Sequence, residues 1–427
     1  MILANNPTLK TWITVPVNSD FPIQNIPFGI FKPVGQQPRP ATRVGDTIID
    51  LSILCDLGYF DDLEIENYGV FYAPVLNDFM ELGAPIWSSV RQRLSTLFDL
   101  NNNELHGNDE AKVSCLHNVE DVEMMLPVEV GDYTDFYSSI EHATNVGTMF
   151  RDPNNALLPN WKHIPVGYHG RSSSIVVSGT DIHRPMGQTK ADDAELPSFG
   201  PSRLVDFELE TAFITGKSSK LGEHITVDNA HEYIFGMVLF NDLSARDIQK
   251  WEYVPLGPFL SKNFGSVISP WIVTMEALQP FFVGGPEQNP AVLPYLKSSG
   301  EKNIDINLEV SLIPENSNET IICRSNFKYM YWNMDQQLAH HTVNGCNINI
   351  GDMYGSGTIS GPTPDSYGSM LELSWRGTKP LKLNDGSERK FIQDNDTIIM
   401  RGYAENDEYR IGFGECITKI LPAKKVI

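Results

Sequence analysis

Acidic side chains alternate along one short segment of the chain, residues 204–214. If this segment is a β-strand, Asp206, Glu208 and Glu210 lie on one face and Phe207, Leu209 and Thr211 lie on the other. Such a row of carboxylates is typical of the solvated face of an antiparallel sheet. It is also the pattern of a site for a hard cation, because Ca²⁺ and Mg²⁺ prefer oxygen ligands.

Two further aspartates favour the cation site. Asp242 ends an apolar run that begins at Tyr233, and Asp135 lies among aromatic residues in the segment 131–137. Asp242 could instead belong to an ordinary turn or helix cap. Because no cysteine or convincing histidine pair accompanies these acids, they favour Ca²⁺ or Mg²⁺ over zinc.

A histidine and a glutamate are the candidates for proton transfer. His142 follows Asp135 closely, and a histidine near a bound ion or substrate is the usual general base. Glu372 lies in a predicted strand, residues 369–375, where it faces away from Leu371 and Leu373. A buried glutamate needs a partner, and a histidine would serve. The alternatives are a structural histidine and an outward-facing strand glutamate.

Positive and amide side chains that could stabilise an oxyanion follow Asp242. Ser244 and Asp247 have the spacing of a capping box, which predicts a helix there with Arg246 and Gln249 on one face. With Lys262 these residues could supply donors to developing negative charge, or they could be surface polar residues. The glycine-rich segment 351–361 lacks the G-K-[ST] of a phosphate loop, so nucleotide binding is rejected. It could be a hairpin turn, or its amides and the Thr358 hydroxyl could meet a carboxylate.

The elements that must position these residues are mostly short strands. Alternating runs separated by turn residues predict a mainly β protein. One helix is predicted from Pro85 to Leu97, with Arg91 and Arg93 off its apolar stripe. We place a domain boundary near residue 125, which gives a small, mainly β domain at 1–125 and a large β-rich domain at 126–427.

Composition excludes several classes of partner. The 427 residues include 32 Lys and Arg against 54 Asp and Glu, a net charge of −22, which argues against nucleic acid and anionic membranes. The longest apolar run, residues 233–240, is too short to span a bilayer, and residues 1–10 show no secretory signal. Five cysteines, widely spaced and odd in number, predict reduced thiols in a cytoplasmic protein.

Long stretches of the chain closely resemble the fumarylacetoacetase family. The resemblance rests on residues 131–139, 142–145, 165–171, 175–180, 241–249, 251–259, 357–361 and 370–375. It implies an N-terminal SH3-like barrel and a large C-terminal mixed β-roll domain that forms a homodimer. It also implies hydrolysis of the carbon–carbon bond of 4-fumarylacetoacetate to fumarate and acetoacetate, the last step of tyrosine and phenylalanine catabolism.

The resemblance also implies roles for individual residues. The general base falls on His142, oriented by Glu372, with Arg246, Gln249 and Lys262 near the developing charge. The implied calcium ligands are Asp135, Glu208, Glu210 and Asp242. The implied substrate contacts are Tyr137, Arg151, Tyr168, Gln249, Tyr253 and Thr358. A magnesium assignment includes Asp242, Lys262 and a third position that carries threonine in the family and Ser266 here, whereas Asp206 is not among the family's ligands.

Two other functions compete with this interpretation. Hydratases, decarboxylases, tautomerases and acylpyruvate hydrolases of the same superfamily share the metal carboxylates, but they usually lack a long N-terminal module. A non-catalytic calcium-binding β protein would explain the carboxylates. It would not explain a buried Glu372 or the donors Arg246, Gln249 and Lys262.

Overall fold

The computed structural model describes residues 2–425, and strands dominate its architecture. The predicted fold class is confirmed: the chain is mainly β, with a small N-terminal β unit and a large C-terminal unit of mixed sheets. The domain boundary at residue 125 stays a prediction. The helices in the described part are α1 (Leu51–Asp56), α2 (Asn77–Glu81), α3 (Ala84–Phe98), α4 (Asp109–Cys115), α5 (Ile140–Phe150), α6 (Arg246–Glu252), α7 (Met275–Leu278), α8 (Met334–Thr342) and α9 (Met370–Leu373).

The strands form one large sheet, a five-stranded sheet and several two-stranded ribbons. They are β1 (Phe28–Pro33), β2 (Arg39–Val44), β3 (Thr47–Asp50), β4 (Leu116–Asn118), β5 (Val122–Met125), β6 (Tyr133–Phe136), β7 (Gly167–His169), β8 (Ile175–Val177), β9 (Ile182–His183), β10 (Met186–Thr189), β11 (Ser198–Pro201), β12 (Val205–Asp206), β13 (Leu209–Thr215), β14 (Ile234–Asp242), β15 (Ser244–Ala245), β16 (Ser266–Ile268), β17 (Trp271–Thr274), β18 (Phe282–Val283), β19 (Asn303–Ile304), β20 (Asn307–Ile313), β21 (Thr320–Asn326), β22 (Met353–Gly355), β23 (Leu381–Lys382), β24 (Glu388–Arg389), β25 (Thr397–Glu405) and β26 (Arg410–Leu421).

The large sheet joins the N-terminal strands to strands of the C-terminal unit. Its main path runs β4-β3-β2-β1-β17-β14-β13-β22-β6-β7. At the junction, β1 pairs antiparallel with β17, and Gly29 lies opposite Trp271. A Cβ atom at Gly29 would lie 2.7 Å from the Trp271 ring, so only glycine allows this close approach. The close pairing of β1 with β17 therefore depends on a residue of each strand, Gly29 and Trp271.

Strand β14 explains why an unbroken apolar run occurs in the sequence. All nine of its residues are buried, because hydrophobic cores cover both faces of the sheet. Met237 and Leu239 pack into one core, whereas Val238 and Phe240 pack into the other. A strand covered on both sides is apolar throughout rather than alternating. The predicted strand ending at Asp242 is confirmed.

Helix α3 packs the N-terminal unit against the large sheet. The predicted helix is confirmed, and Val90, Leu94 and Leu97 of its apolar stripe are fully buried. The expectation that Arg91 lies off the buried face is wrong, because this side chain is only 1% exposed. Its guanidinium is accommodated by polar groups of the segment 5–25.

The five-stranded sheet packs against the C-terminal strands of the large sheet. Its order is β21-β20-β25-β26-β9, and residues of β20 and β25 contribute to the same core as Met237 and Leu239. Within residues 2–425, no helix has both the length and the apolar character needed to cross a membrane.

Candidate active site

Four carboxylates meet inside the large sheet. Asp135, Glu208, Glu210 and Asp242 each place one oxygen within 4.8 Å of the others, and all four side chains are buried. Three separate stretches of the chain supply them. The structure therefore brings together the four predicted calcium ligands.

Strand pairing positions these acids. Antiparallel pairing places Glu210 of β13 opposite Phe240 of β14, two residues before Asp242, and β22 links β13 to Asp135 of β6. Gly355 lies at this link. A Cβ atom there would lie 2.9 Å from Asp135 Oδ1 and 3.1 Å from Glu210 Oε2, so glycine makes room for both carboxylates.

The oxygens of the cluster fit a hard divalent cation. Among the described residues, Asp135 Oδ1 and Glu210 Oε1 are buried without a hydrogen-bond partner. Burial, together with the charges of neighbouring acids, raises the pKa of Asp135 and of Glu210 well above the usual range. Leaving such oxygens unpaired is costly, and a bound ion would remove that cost. An all-carboxylate set suits Ca²⁺ or Mg²⁺.

A backbone amide also faces the cluster. The Gly357 N–H donates to Glu210 Oε2 at 2.9 Å. Gly357 has φ +78°, and a Cβ atom there would lie 2.4 Å from the Phe136 carbonyl oxygen, so the turn requires glycine. Of the two alternatives left open for the segment 351–361, the structure shows a turn whose amide meets a carboxylate.

Lys262 and Ser266 contact the acids of the cluster. The Lys262 ammonium donates to Glu208 and to Asp242, and the Ser266 hydroxyl donates to Asp242 Oδ1 at 2.9 Å. Burial alone would lower the pKa of Lys262, but Asp242 and Glu208 outweigh it and raise this pKa. A protonated ammonium has no lone pair for a metal, so Lys262 balances the charge of the ligands.

Arg246 is the second cation beside the cluster. It contacts Glu208 Oε1 at 2.7 Å and Asp206 Oδ2 at 2.8 Å, and its Nη1 donates to Gln249 Oε1 at 3.2 Å. Although burial opposes the shift, Lys262 and Arg246 lower the pKa of Glu208 to about 2. Glu208 is therefore held in its charged form.

The predicted strand over residues 204–214 is only partly correct. The structure divides it into β12 and β13, and Glu208 occupies the break between them. The break follows from two pairings, because β12 pairs with β15 whereas β13 pairs with β14.

The capping box predicted at Ser244 is also wrong. Ser244 belongs to β15, and α6 begins at Arg246 without a side-chain cap. Asp247, the other half of the predicted box, instead accepts hydrogen bonds from the Ser202 hydroxyl and the Arg203 amide. A helix does begin here, but distant partners set its start.

His142 and Glu372 form a buried pair. His142 Nδ1 lies 2.6 Å from Glu372 Oε2, and the two residues are 3% and 1% exposed. Burial would raise the pKa of Glu372, but the charge and hydrogen bond of His142 and further hydrogen bonds lower it. A charged Glu372 accepts the Nδ1–H, which leaves Nε2 as the atom of the ring that can take a proton.

Glu372 lies on a helix, not on the predicted strand. Helix α9 begins after Ser369, whose hydroxyl caps the Glu372 amide. Asp206 accepts hydrogen bonds from the Met370 and Leu371 amides at 2.6 and 3.0 Å. Ser369 and Glu372 have the spacing of a capping box, which is the signal in the sequence that could have indicated a helix.

Replacement of Asp206 by alanine is expected to lower the free energy of unfolding by about 1–3 kcal/mol, because the buried Arg246 guanidinium loses one acceptor and keeps only its ion pair with Glu208. Two amides of α9 also lose their acceptor. Urea denaturation would measure this loss. Asp193→Ala, which changes an exposed aspartate, is the matched control. Equal free energies of unfolding in the two variants would show that the hydrogen bonds of Asp206 do not stabilise the fold.

The predicted substrate contacts divide into two groups. The Tyr137 ring stands edge-on to His142 at 5.2 Å between centroids, and the Tyr168 hydroxyl donates to Asp242 Oδ2 at 3.4 Å. Thr358 is buried in the turn after β22. By contrast, Arg151 is exposed and donates to the Ala156 carbonyl oxygen, and Tyr253 is 53% exposed. No side-chain hydrogen bond within residues 2–425 connects Tyr253 to the cluster.

The sequence did not indicate some residues that hold Glu372. Asn145 Nδ2 donates to Glu372 Oε1 at 2.9 Å, and the Ser360 hydroxyl donates to the same carboxylate at 2.9–3.0 Å. Asn145 lies three residues after His142 on α5, a spacing that puts both on one helix face. Ser360 carries no comparable local signal.

Comparisons with known proteins identify the family of the chain. A family profile described as fumarylacetoacetate hydrolase C-terminal matches residues 133–421, and one described as fumarylacetoacetase N-terminal matches residues 24–127. The chain is 56% identical over 423 residues to a Dictyostelium discoideum protein named fumarylacetoacetase. That alignment covers 98% of this chain and 99% of the Dictyostelium protein. A human protein of the same name is 54% identical over 415 residues, covering 97% of this chain and 99% of that protein.

A solved structure shows the same fold. It is described as a fumarylacetoacetate hydrolase from psychrophilic Exiguobacterium antarcticum, and it aligns with a TM-score of 0.51 at 17% identity, covering 93% of this chain and all of that one. The C-terminal profile spans most of the chain, and both relatives exceed half identity over nearly its full length. The chain is therefore a hydrolase that belongs to the fumarylacetoacetate hydrolase family.

Proposed function

We propose that this enzyme hydrolyses the carbon–carbon bond of 4-fumarylacetoacetate to give fumarate and acetoacetate. The observation that carries the proposal is the buried pair of His142 and Glu372 beside the carboxylate cluster. When it carries a proton, the His142 ring is close enough to Glu208 for its charge to lower the pKa of that carboxyl. A base within electrostatic range of a cation site is the arrangement that hydrolysis of a dicarbonyl compound needs.

His142 begins the reaction by taking a proton from water at Nε2. Glu372 holds the Nδ1–H and stabilises the imidazolium that results. The water oxygen bonds to the substrate carbonyl carbon, and the carbon–carbon bond then breaks with its electron pair on the acetoacetate fragment. The proton from the imidazolium neutralises that carbanion, so one water is consumed for each bond cleaved.

Arg246, Gln249 and Lys262 are the groups that we assign to the oxyanion. Arg246 and Lys262 are fixed by Glu208, and Gln249 is fixed by Arg246. Fixed donors stabilise developing charge without having to reorganise, and the loss of one such donor commonly costs about 10²- to 10³-fold in kcat. The proposed substrate contacts are Tyr137, Arg151, Tyr168, Gln249, Tyr253 and Thr358.

Asp135, Glu208, Glu210 and Asp242 would hold the divalent cation, Ca²⁺ or Mg²⁺. When bound, this ion supplies Lewis-acid polarisation of the substrate carbonyl oxygens. The two buried carboxylate oxygens without partners support this assignment. A second ion site at Asp242 and Ser266, with Lys262 beside it, stays a prediction.

We also propose a homodimer that acts in cytoplasmic tyrosine and phenylalanine catabolism. The segment after α6 exposes several apolar side chains beside Tyr253, including Val254 at 67%, Leu256 at 96% and Phe259 at 62%. Apolar surface of this kind is typical of a protein interface. All five cysteines are free thiols, which suits a reducing compartment.

Mixing the protein with 4-fumarylacetoacetate is expected to remove the ultraviolet absorbance of the diketo group and to release fumarate and acetoacetate in equal amounts. Loss of absorbance at the protein-free rate would contradict the proposed function. Decarboxylation or hydration products would instead assign the chain to another reaction of the superfamily.

A further inference from the structure

One carboxylate joins the two ends of an exposed loop that follows α6, residues 253–258. Glu252 is the last residue of α6, and its Oε1 accepts hydrogen bonds from the Phe259 and Ser261 amides, both at 2.8 Å. Its Oε2 accepts the Leu260 amide at 3.1 Å. Successive backbone amides that point to one place form an anion-binding concavity, and Glu252 fills it from within the same chain. The loop therefore leaves and returns at the same side chain.

The loop itself makes few contacts that could hold the chain beyond it. Its side chains are largely in solvent, with Val254 at 67% and Leu256 at 96% exposure. Two of its six residues are prolines, Pro255 and Pro258, which have no N–H to donate. A segment with little buried surface and few backbone hydrogen bonds opens easily. The place of the turn after the loop therefore depends on the hydrogen bonds at the base of the loop.

That turn leads directly to Lys262. Ser261 is held from two sides, because its amide donates to Glu252 and its carbonyl oxygen accepts the Ala245 amide at 2.9 Å. Ala245 immediately precedes α6, and Glu252 ends this helix. The backbone before Lys262 is therefore tied to both ends of the helix that carries the other two donors assigned to the oxyanion.

We propose that Glu252 is a positioning residue for the hydrolysis, which holds the Lys262 ammonium at a fixed place relative to Arg246 and Gln249. The inference rests on the proposed function, in which these three side chains are assigned to the oxyanion. Glu252 does not touch the reacting atoms and acts through the amides of residues 259–261. Donors stabilise developing charge best when their own supports fix them in advance. Glu252 supplies this support for the one donor that lies outside α6.

Glu252→Leu tests the proposal by removing the acceptor while a side chain of similar size remains. Steady-state hydrolysis of 4-fumarylacetoacetate is expected to show a kcat about 100-fold lower, since displacing a reacting group by about 1 Å can cost about 10²-fold. Glu287→Leu is the matched control, because Glu287 is exposed and its side chain makes no hydrogen bond within residues 2–425. A normal kcat in Glu252→Leu would overturn the proposal.

Glu252→Gln tests whether the hydrogen bonds carry the effect. The side-chain oxygen of glutamine has two lone pairs, so it can accept both the Phe259 and the Ser261 amides, and only the bond from Leu260 is lost. The kcat of this variant is expected to stay within about tenfold of that of the unmodified enzyme, the smaller cost of losing one hydrogen bond to a charged group. A kcat as low as that of Glu252→Leu would show that the charge of Glu252 matters rather than its contacts, and it would overturn the positioning role.

A double-mutant cycle separates positioning of Lys262 from general stabilisation of the turn. Lys262→Met removes the ammonium, so adding Glu252→Leu to this variant is expected to change kcat by less than about twofold. A residue that only stabilised the turn would lower kcat by the same factor in both backgrounds, and this result would overturn the proposal. Circular dichroism checks that each variant is folded, and the Glu252→Gln comparison does not require the Lys262 variant.

Hydrogen exchange measured on the full chain gives a readout that does not depend on activity. The amides of residues 259–261 are expected to exchange at least about tenfold faster in Glu252→Leu, since a hydrogen bond to a charged group is worth about 10- to 100-fold. The amides of β13 should keep their rates. Unchanged exchange at 259–261 would overturn the proposed support.

The same two measurements distinguish a failure of this inference from a failure of the proposed function. If the unmodified protein left 4-fumarylacetoacetate intact, the proposed function and the catalytic role of Glu252 would both be wrong. Faster exchange at residues 259–261 in Glu252→Leu would then still support the structural contact. Hydrolysis by the unmodified protein with an equal kcat in Glu252→Leu would instead overturn the role of Glu252 alone.

Discussion

Replacement of His142 by alanine is expected to lower kcat by about 10³-fold, because a positioned general base commonly contributes about 10²- to 10⁴-fold. The KM for 4-fumarylacetoacetate should change little, since the carboxylates, Arg246 and Lys262 keep their contacts with one another. Steady-state hydrolysis followed by diketo absorbance would measure both constants. This separation of kcat from KM distinguishes a base from a residue that only holds the fold.

His163→Ala is the matched control, because His163 is an exposed histidine in a loop. Its rate should equal that of the unmodified enzyme. Glu372→Gln should lower kcat while the His142 ring stays in place, because a neutral amide stabilises the imidazolium less than a carboxylate does. Normal turnover in His142→Ala would show that another group activates the water.

Replacement of Glu210 by glutamine is expected to weaken binding of the divalent ion at least about 100-fold, since changing groups that merely orient metal ligands already costs about 10- to 100-fold. The substitution keeps the size of the side chain and an oxygen that can accept the Gly357 amide hydrogen bond. It removes only the negative charge. Elemental analysis after dialysis and calorimetric titration with calcium would measure the loss.

The unmodified protein should gain thermal stability when calcium is added, because a ligand that binds only the folded state stabilises it. Glu210→Gln should gain almost none. Glu195→Gln, which removes one exposed acid from the same chain, provides the control for net charge. An ion content of Glu210→Gln equal to that of the control would contradict the assignment of the cluster as a cation site.

Local patterns in the sequence predicted the elements whose burial can be inferred from neighbouring residues alone. The apolar run from Tyr233 predicts β14 because both faces of that strand are covered, and the spacing of Val90, Leu94 and Leu97 predicts α3. The carboxylates and the imidazole were found because residue type limits the chemistry available. Their meeting at one place rests on the resemblance to a known family, since composition does not specify which strands pair.

Alternation of residue types alone mispredicts elements that distant partners help to decide. The segment 369–375 alternates like a strand, yet Asp206, more than 160 residues earlier, accepts two of its amides and stabilises a helix. Arg91 is buried because carbonyl oxygens of Gln24 and Asn25 accept its hydrogen bonds. Neither partner is visible in a window of neighbouring residues, and both decide where a charged side chain can lie.

The pairing of β1 with β17 has a consequence for inherited or engineered changes far from the catalytic centre. The N-terminal strands continue the catalytic sheet through this pairing. A larger residue at Gly29 would collide with Trp271, separate β1 from β17 and leave the backbone edge of β17 unpaired. Unpaired strand edges pair with the strands of other molecules, so such chains would be lost to aggregation and proteolysis. Enzyme shortage in a cell could then arise with every catalytic side chain intact.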